Sequence, residues 1–207
     1  MFRSKKSKKE QTIETYRKSA EALAERYDHI TGTRISDIEE TFALVRNKQP
    51  RVFEIGFGSG KEAYQILKRT PHYSGIDISE GMHALASRRM PRGKFTVADL
   101  EKCDYPKNLD IIFAFASLMH TEKAKLKKVF DAMYNSLVPG GLVRASLKWG
   151  PKYKELTKRD KYGVRTFYLY SKENIEAFPV EFLMLKCLVN EAEGQTWLEL
   201  LLQKPRS

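Results

Sequence analysis

The chain has 207 residues, of which 42% are hydrophobic, and it carries a formal net charge of +11. This length suits one α/β domain with a substantial core and is too short for two domains of ordinary size. The longest apolar run, Ile111 to Met119, is about half of a bilayer span, and the chain starts without a signal peptide, so we expect a cytoplasmic protein with no membrane partner.

The positive charge is concentrated in two runs. Residues 1–9 hold five Lys or Arg and no acid, and residues 148–165 hold seven basic residues against two acidic ones. Such runs are most often solvated, although they also suit a nucleic acid or an anionic small molecule. We expect residues 1–10 to be a disordered basic tail. Cys103 and Cys187 form neither a metal-ligand spacing nor a disulfide framework, so we expect reduced thiols and no metal site.

Two amphipathic helices are expected to precede the first strand, and we interpret residues 11–48 as a helical cover. In the first helix, apolar residues recur at steps of three and four from residue 13 to residue 27, and Thr12 is the expected N-cap. In the second helix, Ser36 and Glu39 are expected to form a capping box.

From residue 51 onward, strands and helices alternate regularly, which predicts right-handed crossovers and a doubly wound, mostly parallel sheet. The predicted strands are 51–55, 73–77, 94–98, 109–115 and 142–147, and the predicted helices are 60–69, 79–89 and 121–137. The apolar runs 182–189 and 196–203 predict an antiparallel hairpin. One domain is therefore expected over residues 11–207, with its ligand-binding core at 51–148 and its terminal hairpin at 181–203.

Three glycines at alternate positions follow the first predicted strand, namely Gly56, Gly58 and Gly60. Glycine removes each Cβ that would hold a ligand away from the backbone, and the helix that follows offers unpaired N–H groups. A dinucleotide fingerprint would need its third glycine at position 61, where the chain has Lys61, and no P-loop sequence is present. Asp77 lies 21 residues beyond Gly56, after the next apolar run, where a carboxylate can accept hydrogen bonds from ribose. This pattern predicts a site for a nucleotide-like ligand.

Five motifs stand in one order between residues 50 and 145. They are Glu54-x-Gly56-x-Gly58-x-Gly60, Gly75–Met82, Val97–Leu100, Leu109–Phe113 and Leu137–Gly141. In order and spacing they resemble the class I S-adenosylmethionine-dependent methyltransferases. The segment Phe115–His120 lacks the Asn/Asp-Pro-Pro-Tyr/Phe sequence of amino-methylating nucleic-acid enzymes and more closely resembles the small-molecule branch that contains quinone and sterol methyltransferases. The resemblance implies a Rossmann-like fold, S-adenosylmethionine as cofactor, and in-line methyl transfer to a small molecule. The alternative is an RNA-modifying methyltransferase that holds phosphates with the basic tail and loop.

The same resemblance implies a set of cofactor contacts. Glu54 would help to hold the amino group of the cofactor, and Asp77 would bind its ribose. The remaining positions are the adenine walls Ile78 and Met82, the adenine edge at Ala98, Asp99 and Leu100, and Phe115 at the end of the fourth strand. The alternative role for Asp99 is to cap a local turn.

Catalytic and acceptor-binding residues are expected at the carboxyl edge of the sheet. His120 follows the fourth strand and is the candidate general base, although a loop histidine near a helix start is an equal reading. Residues 149–180 are expected to form an acceptor-covering loop, with a solvated loop as the alternative. Within it, Arg165 and Tyr168 are the expected acceptor-binding residues, and the guanidinium of Arg165 suits a carboxylate or phosphate group.

The resemblance also places the first helix over the cofactor cleft. Tyr16 and Tyr27 on that helix would then wall the acceptor site, and the alternative for either residue is an ordinary core aromatic.

Overall fold

The computed structural model describes residues 6–28, 34–178, 181–192 and 194–206. In this part of the chain the strands are β1 Val52–Ile55, β2 Tyr73–Asp77, β3 Phe95–Val97, β4 Leu109–Phe115, β5 Leu137–Trp149, β6 Lys154–Asp160, β7 Gly163–Tyr170, β8 Leu183–Ala192 and β9 Gln195–Gln203. The helices are α1 Lys8–Lys18, α2 Ala20–Asp28, α3 Arg34–Leu44, α4 Lys61–Leu67, α5 Glu80–Arg89, α6 Lys123–Ser136 and α7 Lys172–Glu176, with a 3-10 turn at Leu118–His120.

The sheet has a parallel centre in the order β3-β2-β1-β4-β5. Beyond β5, β9 runs antiparallel to β5 and β8 runs antiparallel to β9. Strand β4 is buried along its whole length, because Ile112 and Ala114 pack on the α6 side while Ile111 and Phe113 pack on the α3 and α4 side. The predicted doubly wound, mostly parallel sheet with an antiparallel end is confirmed.

The first predicted helix is two helices in the structure, and its N-cap differs from the prediction. Ser7 caps α1 in a capping box with Glu10, so Thr12 lies inside α1 and its predicted capping role is wrong. The helix ends at Ser19, whose hydroxyl donates to the carbonyl of Tyr162. This long-range hydrogen bond holds the break between α1 and α2.

Two further boundaries at the start of the chain differ from the predictions. The expected disordered tail reached residue 10, whereas α1 already begins at Lys8; residues 1–5 lie outside the described residues. Helix α3 begins at Arg34, so Ser36 lies within the helix and the capping box predicted there is wrong.

The segment expected to be a loop after β5 is a hairpin of β6 and β7. Strand β7 pairs with β5 at Lys148 and Trp149. Lys148 also pairs with Trp197 of β9, so β7 and β9 lie on opposite edges of β5. On the edge that β7 occupies, the pairing of β5 with β4 has already ended at Ser146 and Phe115. The hairpin therefore lies past the carboxyl end of β4, beside the expected site. Strand β6 is exposed on both faces and so lacks the alternation that predicts a strand.

The later boundaries agree more closely with the predictions. Residues 183–203 form the predicted antiparallel hairpin. Helix α6 ends at Ser136, and β5 begins at once at Leu137 with a register shift opposite β4, five residues earlier than predicted. Within the described ranges, the helices are all too short or too polar to cross a bilayer.

Candidate functional site

The glycine turn after β1 is left-handed at three positions. Gly56, Gly58 and Gly60 have φ angles of +79°, +53° and +80°. A Cβ at Gly56 would lie 2.4 Å from the Cβ of Ser117, so packing requires glycine there. A Cβ at Gly60 would lie 2.7 Å from the terminal methyl of Met90, which can move, and 3.1 Å from the Cβ of Ala86. A Cβ at Gly58 would meet nothing within 4 Å. The turn is therefore open at Gly58, where a ligand can approach the backbone.

Asp77 ends β2 and fixes this turn. Its carboxylate accepts hydrogen bonds from the N–H of Gly58 at 3.0 Å and from the N–H of Ser79 at 2.8 Å. Burial raises the pKa of Asp77, although these N–H donors act in the opposite direction. Asp77, the residue predicted to bind the ribose, thus lies directly against Gly58.

Glu54 lies beneath the turn and is 1% exposed. Its carboxyl group accepts a hydrogen bond from the hydroxyl of Tyr73. Burial raises the pKa of Glu54 to about 8, and the carboxylate of Glu62 adds to that rise. The carboxyl group is therefore protonated near neutral pH when no cation is beside it.

Ser117 is a residue at this site that the sequence analysis did not assign. It follows Ala116, whose φ of +50° turns the chain sharply after β4. Its Oγ atom is buried without a hydrogen-bond partner among the described residues. A buried polar atom without a partner costs free energy, so this hydroxyl suits a polar group of a ligand in the turn. The sequence could have indicated Ser117 as a site residue, because it lies two residues after the apolar run of β4, at the carboxyl edge of the sheet.

Asp99, the expected adenine contact, is paired with Lys9 of α1. Lys9 Nζ lies 2.8 Å from both carboxylate oxygens of Asp99 and 2.9 Å from Glu101. Burial alone would raise the pKa of Asp99, but the hydrogen bond from Lys9 and the N–H of Glu101 lower it. The neighbouring carbonyl of Leu100 accepts from Tyr105, while the N–H of Ala98 donates to the carbonyl of Asp77.

The remaining expected cofactor residues differ in their surroundings. Met82 is 4% exposed and packs with Ala20 and Leu23 of α2. Phe115 lies beneath the guanidinium of Arg34, which is 4.8 Å from the ring centroid. These two side chains are thus core contacts of the helical cover, whereas Ile78 is partly exposed beside Asp77.

His120 belongs to a second cluster, at the end of the 3-10 turn. Its Nδ1 atom lies 2.6 Å from the carbonyl oxygen of Thr166, and its Nε2 atom lies 3.0 Å from the hydroxyl of Tyr16. Because a carbonyl only accepts, Nδ1 carries the proton and Nε2 accepts from Tyr16. Burial and the nearby positive charges of Arg165 and Lys148 lower the pKa of His120 to about 4, although the hydrogen bond to Thr166 acts in the opposite direction. The imidazole is therefore neutral at physiological pH.

Arg165 joins this cluster from β7 and is 4% exposed. It forms an ion pair with Asp160 and donates to the hydroxyl of Tyr27 at 2.8 Å. Its guanidinium also lies 5.8 Å from the ring centroid of Tyr16. The structure therefore brings together four predicted residues, His120, Tyr16, Tyr27 and Arg165.

Tyr168 does not lie with them. Residues 165 and 168 of β7 point to opposite faces of the strand, and the hydroxyl of Tyr168 donates to Glu122 at 3.2 Å. Its ring stacks on that of Tyr153. The structure therefore does not bring Tyr168 together with Arg165, because the residue spacing along a strand sends the two side chains apart, and its contact with the acceptor stays a prediction.

Helices α1 and α2 connect the two clusters. Thr12 accepts from the N–H of Thr166 on β7, and Gly81 at the start of α5 lies so close to α1 that a Cβ would be 2.7 Å from the carbonyl of Arg17. Burial raises the pKa of Tyr16, and the carboxylate of Asp77 is near enough to add to that rise. Tyr16 therefore contacts His120 while the charge of Asp77 also acts on its hydroxyl.

Comparisons with known proteins agree with this geometry. The family described as "Methyltransferase domain" matches residues 52–141. The trans-aconitate 2-methyltransferase of Acidovorax ebreus is 31% identical over 124 residues, which are 58% of this chain and 47% of that protein. The malonyl-[acyl-carrier protein] O-methyltransferase 1 of Ilyobacter polytropus is 30% identical over 127 residues, which are 59% of this chain and 47% of that protein. The chain thus spans about half the length of these relatives.

A solved structure shows the same fold. The N-methyltransferase NodS of Bradyrhizobium japonicum, in complex with S-adenosyl-L-homocysteine, superposes with a TM-score of 0.71 at 15% identity and covers 94% of this chain and 99% of its own. The expected quinone and sterol branch is not confirmed by these relatives, whose names give other acceptors.

Proposed function

We propose that the protein is a class I S-adenosylmethionine-dependent methyltransferase that methylates a small-molecule acceptor, because residues 52–141 match the family described as "Methyltransferase domain". The observation that carries this proposal is the open space at Gly58, which lies against the carboxylate of Asp77. The hydroxyl of Ser117, which packs against Gly56 and has no hydrogen-bond partner among the described residues, also supports the proposal. The cofactor offers polar groups both to this hydroxyl and to Asp77.

Each residue of the turn has a separate proposed role. Asp77 would accept hydrogen bonds from the ribose hydroxyls, while Gly58 leaves room for the cofactor beside its backbone N–H. Glu54 would lose its proton and pair with the cofactor's amino group, because a nearby cation lowers a raised carboxyl pKa. Asp99 can receive the adenine edge only with oxygens that it already shares with Lys9.

The bound cofactor would supply a methyl group on a positively charged sulfur, open to in-line attack by a lone pair. The chain's contribution on the acceptor side is alignment and exclusion of water by Tyr16, Tyr27 and Arg165. We propose that His120 fixes the hydroxyl of Tyr16 through Nε2. A role for His120 as a strong general base is disfavoured, because its imidazolium would be buried beside Arg165 and Lys148.

The small-molecule acceptor is favoured over RNA. The reported curated relatives are named for trans-aconitate and for a malonyl group on acyl-carrier protein. Arg165, one of the cations in the basic run, is buried and paired with Asp160 rather than open to phosphates. We place the protein in the cytoplasm as part of this proposal.

Calorimetry tests the function directly. S-adenosylmethionine and S-adenosylhomocysteine should bind, and NAD and ATP should bind much more weakly. Binding of NAD in preference to the adenosyl ligands would overturn the proposal.

A further inference from the structure

Lys148 stands at the carboxyl end of β5 and is half-buried between two aromatic rings. Its Nζ atom lies 5.3 Å from the ring centroid of Phe167 and 5.3 Å from that of Trp197. It donates a hydrogen bond to the side-chain oxygen of Gln195, which is neutral. The ammonium group is thus held in place by β7 and β9 with both ring faces turned toward it.

The cations around Lys148 differ from it in their charge balance. Arg34 has Asp37 at 3.3 Å and Glu199 at 3.6 Å, and Arg165 is paired with Asp160. Among the described residues, Lys148 has no carboxylate within ion-pair distance. Burial lowers the pKa of Lys148 to about 8, and the nearby positive charges of Lys158 and Arg165 act in the same direction. The protein holds a partly desolvated cation whose charge it does not balance.

This uncompensated charge lies beside the second cluster of the active site. The Phe167 ring between Lys148 and Arg165 also packs on His120, with ring centroids 4.9 Å apart. Ser146, two residues before Lys148 on the same face of β5, accepts from the N–H of Ala116 at 2.9 Å, next to Ser117 and the glycine turn. An acceptor held at Lys148 would therefore lie beside His120 and close to the glycine turn that is proposed to bind the cofactor.

On the basis of the proposed function, we propose that the methyl acceptor is an organic carboxylate whose negative charge pairs with Lys148 and whose flat or apolar part contacts the partly exposed ring of Trp197. One uncompensated positive charge matches a monoanion better than a phosphate dianion. The ring of Trp197 suits an unsaturated or aromatic body, while the buried ring of Phe167 holds Lys148 in place.

The test measures binding of benzoate and trans-cinnamate to the full chain in the presence of S-adenosylhomocysteine, with benzamide and phenyl phosphate as matched ligands. We expect a carboxylate to bind about tenfold or more tightly than benzamide and than phenyl phosphate. Lys148→Met should weaken carboxylate binding by about tenfold and change S-adenosylhomocysteine affinity by less than about twofold. Lys158→Met removes a nearby charge from the exposed strand β6 and is the control, with an expected change below about threefold.

Each contrary result has a distinct meaning. If Lys148→Met binds the carboxylates as well as the parent chain does, or if the parent binds S-adenosylhomocysteine but neither carboxylate, this inference is overturned and the proposed function stands. Tighter binding of phenyl phosphate overturns the assignment of a carboxylate. Failure of the parent chain to bind S-adenosylhomocysteine would overturn the proposed function and this inference together.

Discussion

The hydroxyl of Tyr16 donates to Nε2 of His120 across 3.0 Å, so that helix α1 and the turn after β4 share one buried hydrogen bond. The other ring nitrogen donates to the carbonyl of Thr166 on the added hairpin. The imidazole is therefore fixed from both sides as the neutral Nδ1–H tautomer, and three segments far apart in the sequence meet at one ring.

The neutral state of His120 predicts a pH dependence of stability. Its pKa is lowered from 6.5 to about 4 in the folded chain, so the unfolded chain binds more protons in that interval. The contribution is fully present above pH 6.5 and is lost as the pH falls toward 4, by an amount of up to about 3 kcal/mol. In His120→Gln, the free energy of unfolding measured with urea should change less between pH 4 and pH 6.5 than it does in the parent chain. Exposed His72, changed to Gln, controls for the loss of one histidine. An unchanged slope in His120→Gln would show that the ring is not held neutral.

Gly58 should matter for the cofactor and little for the fold. Gly58→Ala places a methyl group in the space that the turn leaves open, so we expect cofactor affinity to fall by about tenfold or more. The strain of an alanine at positive φ costs about 1 to 2 kcal/mol of stability. Gly194→Ala is the matched control, because Gly194 has a φ of +67° and also meets nothing within 4 Å, but lies in the β8–β9 turn. Calorimetry and thermal unfolding separate the two effects, and equal cofactor binding in both variants would contradict this role for Gly58.

The features that the sequence predicted well depend on local spacing. The glycine turn and Asp77 follow from residue types at fixed distances after two apolar strands, and the structure places the carboxylate 3.0 Å from the N–H of Gly58. The strands of the parallel centre follow from long apolar runs such as Leu109–Phe115.

The features that could not be predicted from the sequence depend on packing between distant segments. Lys9 was assigned to a disordered tail, because nothing near it in the sequence shows that Asp99 and Glu101 would surround its ammonium group. Arg165 was expected to be open to an acceptor, but the β6–β7 turn brings Asp160 to it. Strand β6 is polar on both faces, so a pattern of hydrophobicity could not reveal it.

Glu54 should make the folded chain less stable as the pH rises from about 4.5 to about 8. Its pKa is raised from 4.5 to about 8, so the folded chain binds more protons than the unfolded chain in that interval, and stability falls as the pH rises through it. Glu54→Gln mimics the protonated carboxyl group and keeps an acceptor for Tyr73. We expect the variant to gain stability relative to the parent between about pH 5 and pH 8, by up to about 4 kcal/mol. Chemical denaturation at both ends of this range measures the difference, and a constant difference would refute the raised pKa.

Asp77 should carry more of the cofactor affinity than Asp99 does. Asp77→Asn keeps the shape of the side chain but replaces a charged acceptor beside Gly58, so we expect a loss of about 2 to 4 kcal/mol in S-adenosylhomocysteine binding. Asp99→Asn makes the same chemical change at a carboxylate that already shares both oxygens with Lys9, and its effect on binding should be about 1 kcal/mol or less. Calorimetry on the two variants, with circular dichroism to verify the fold, gives the order directly. A larger loss in Asp99→Asn would show that the main polar contact with the cofactor lies at Asp99, after β3, and not at Asp77.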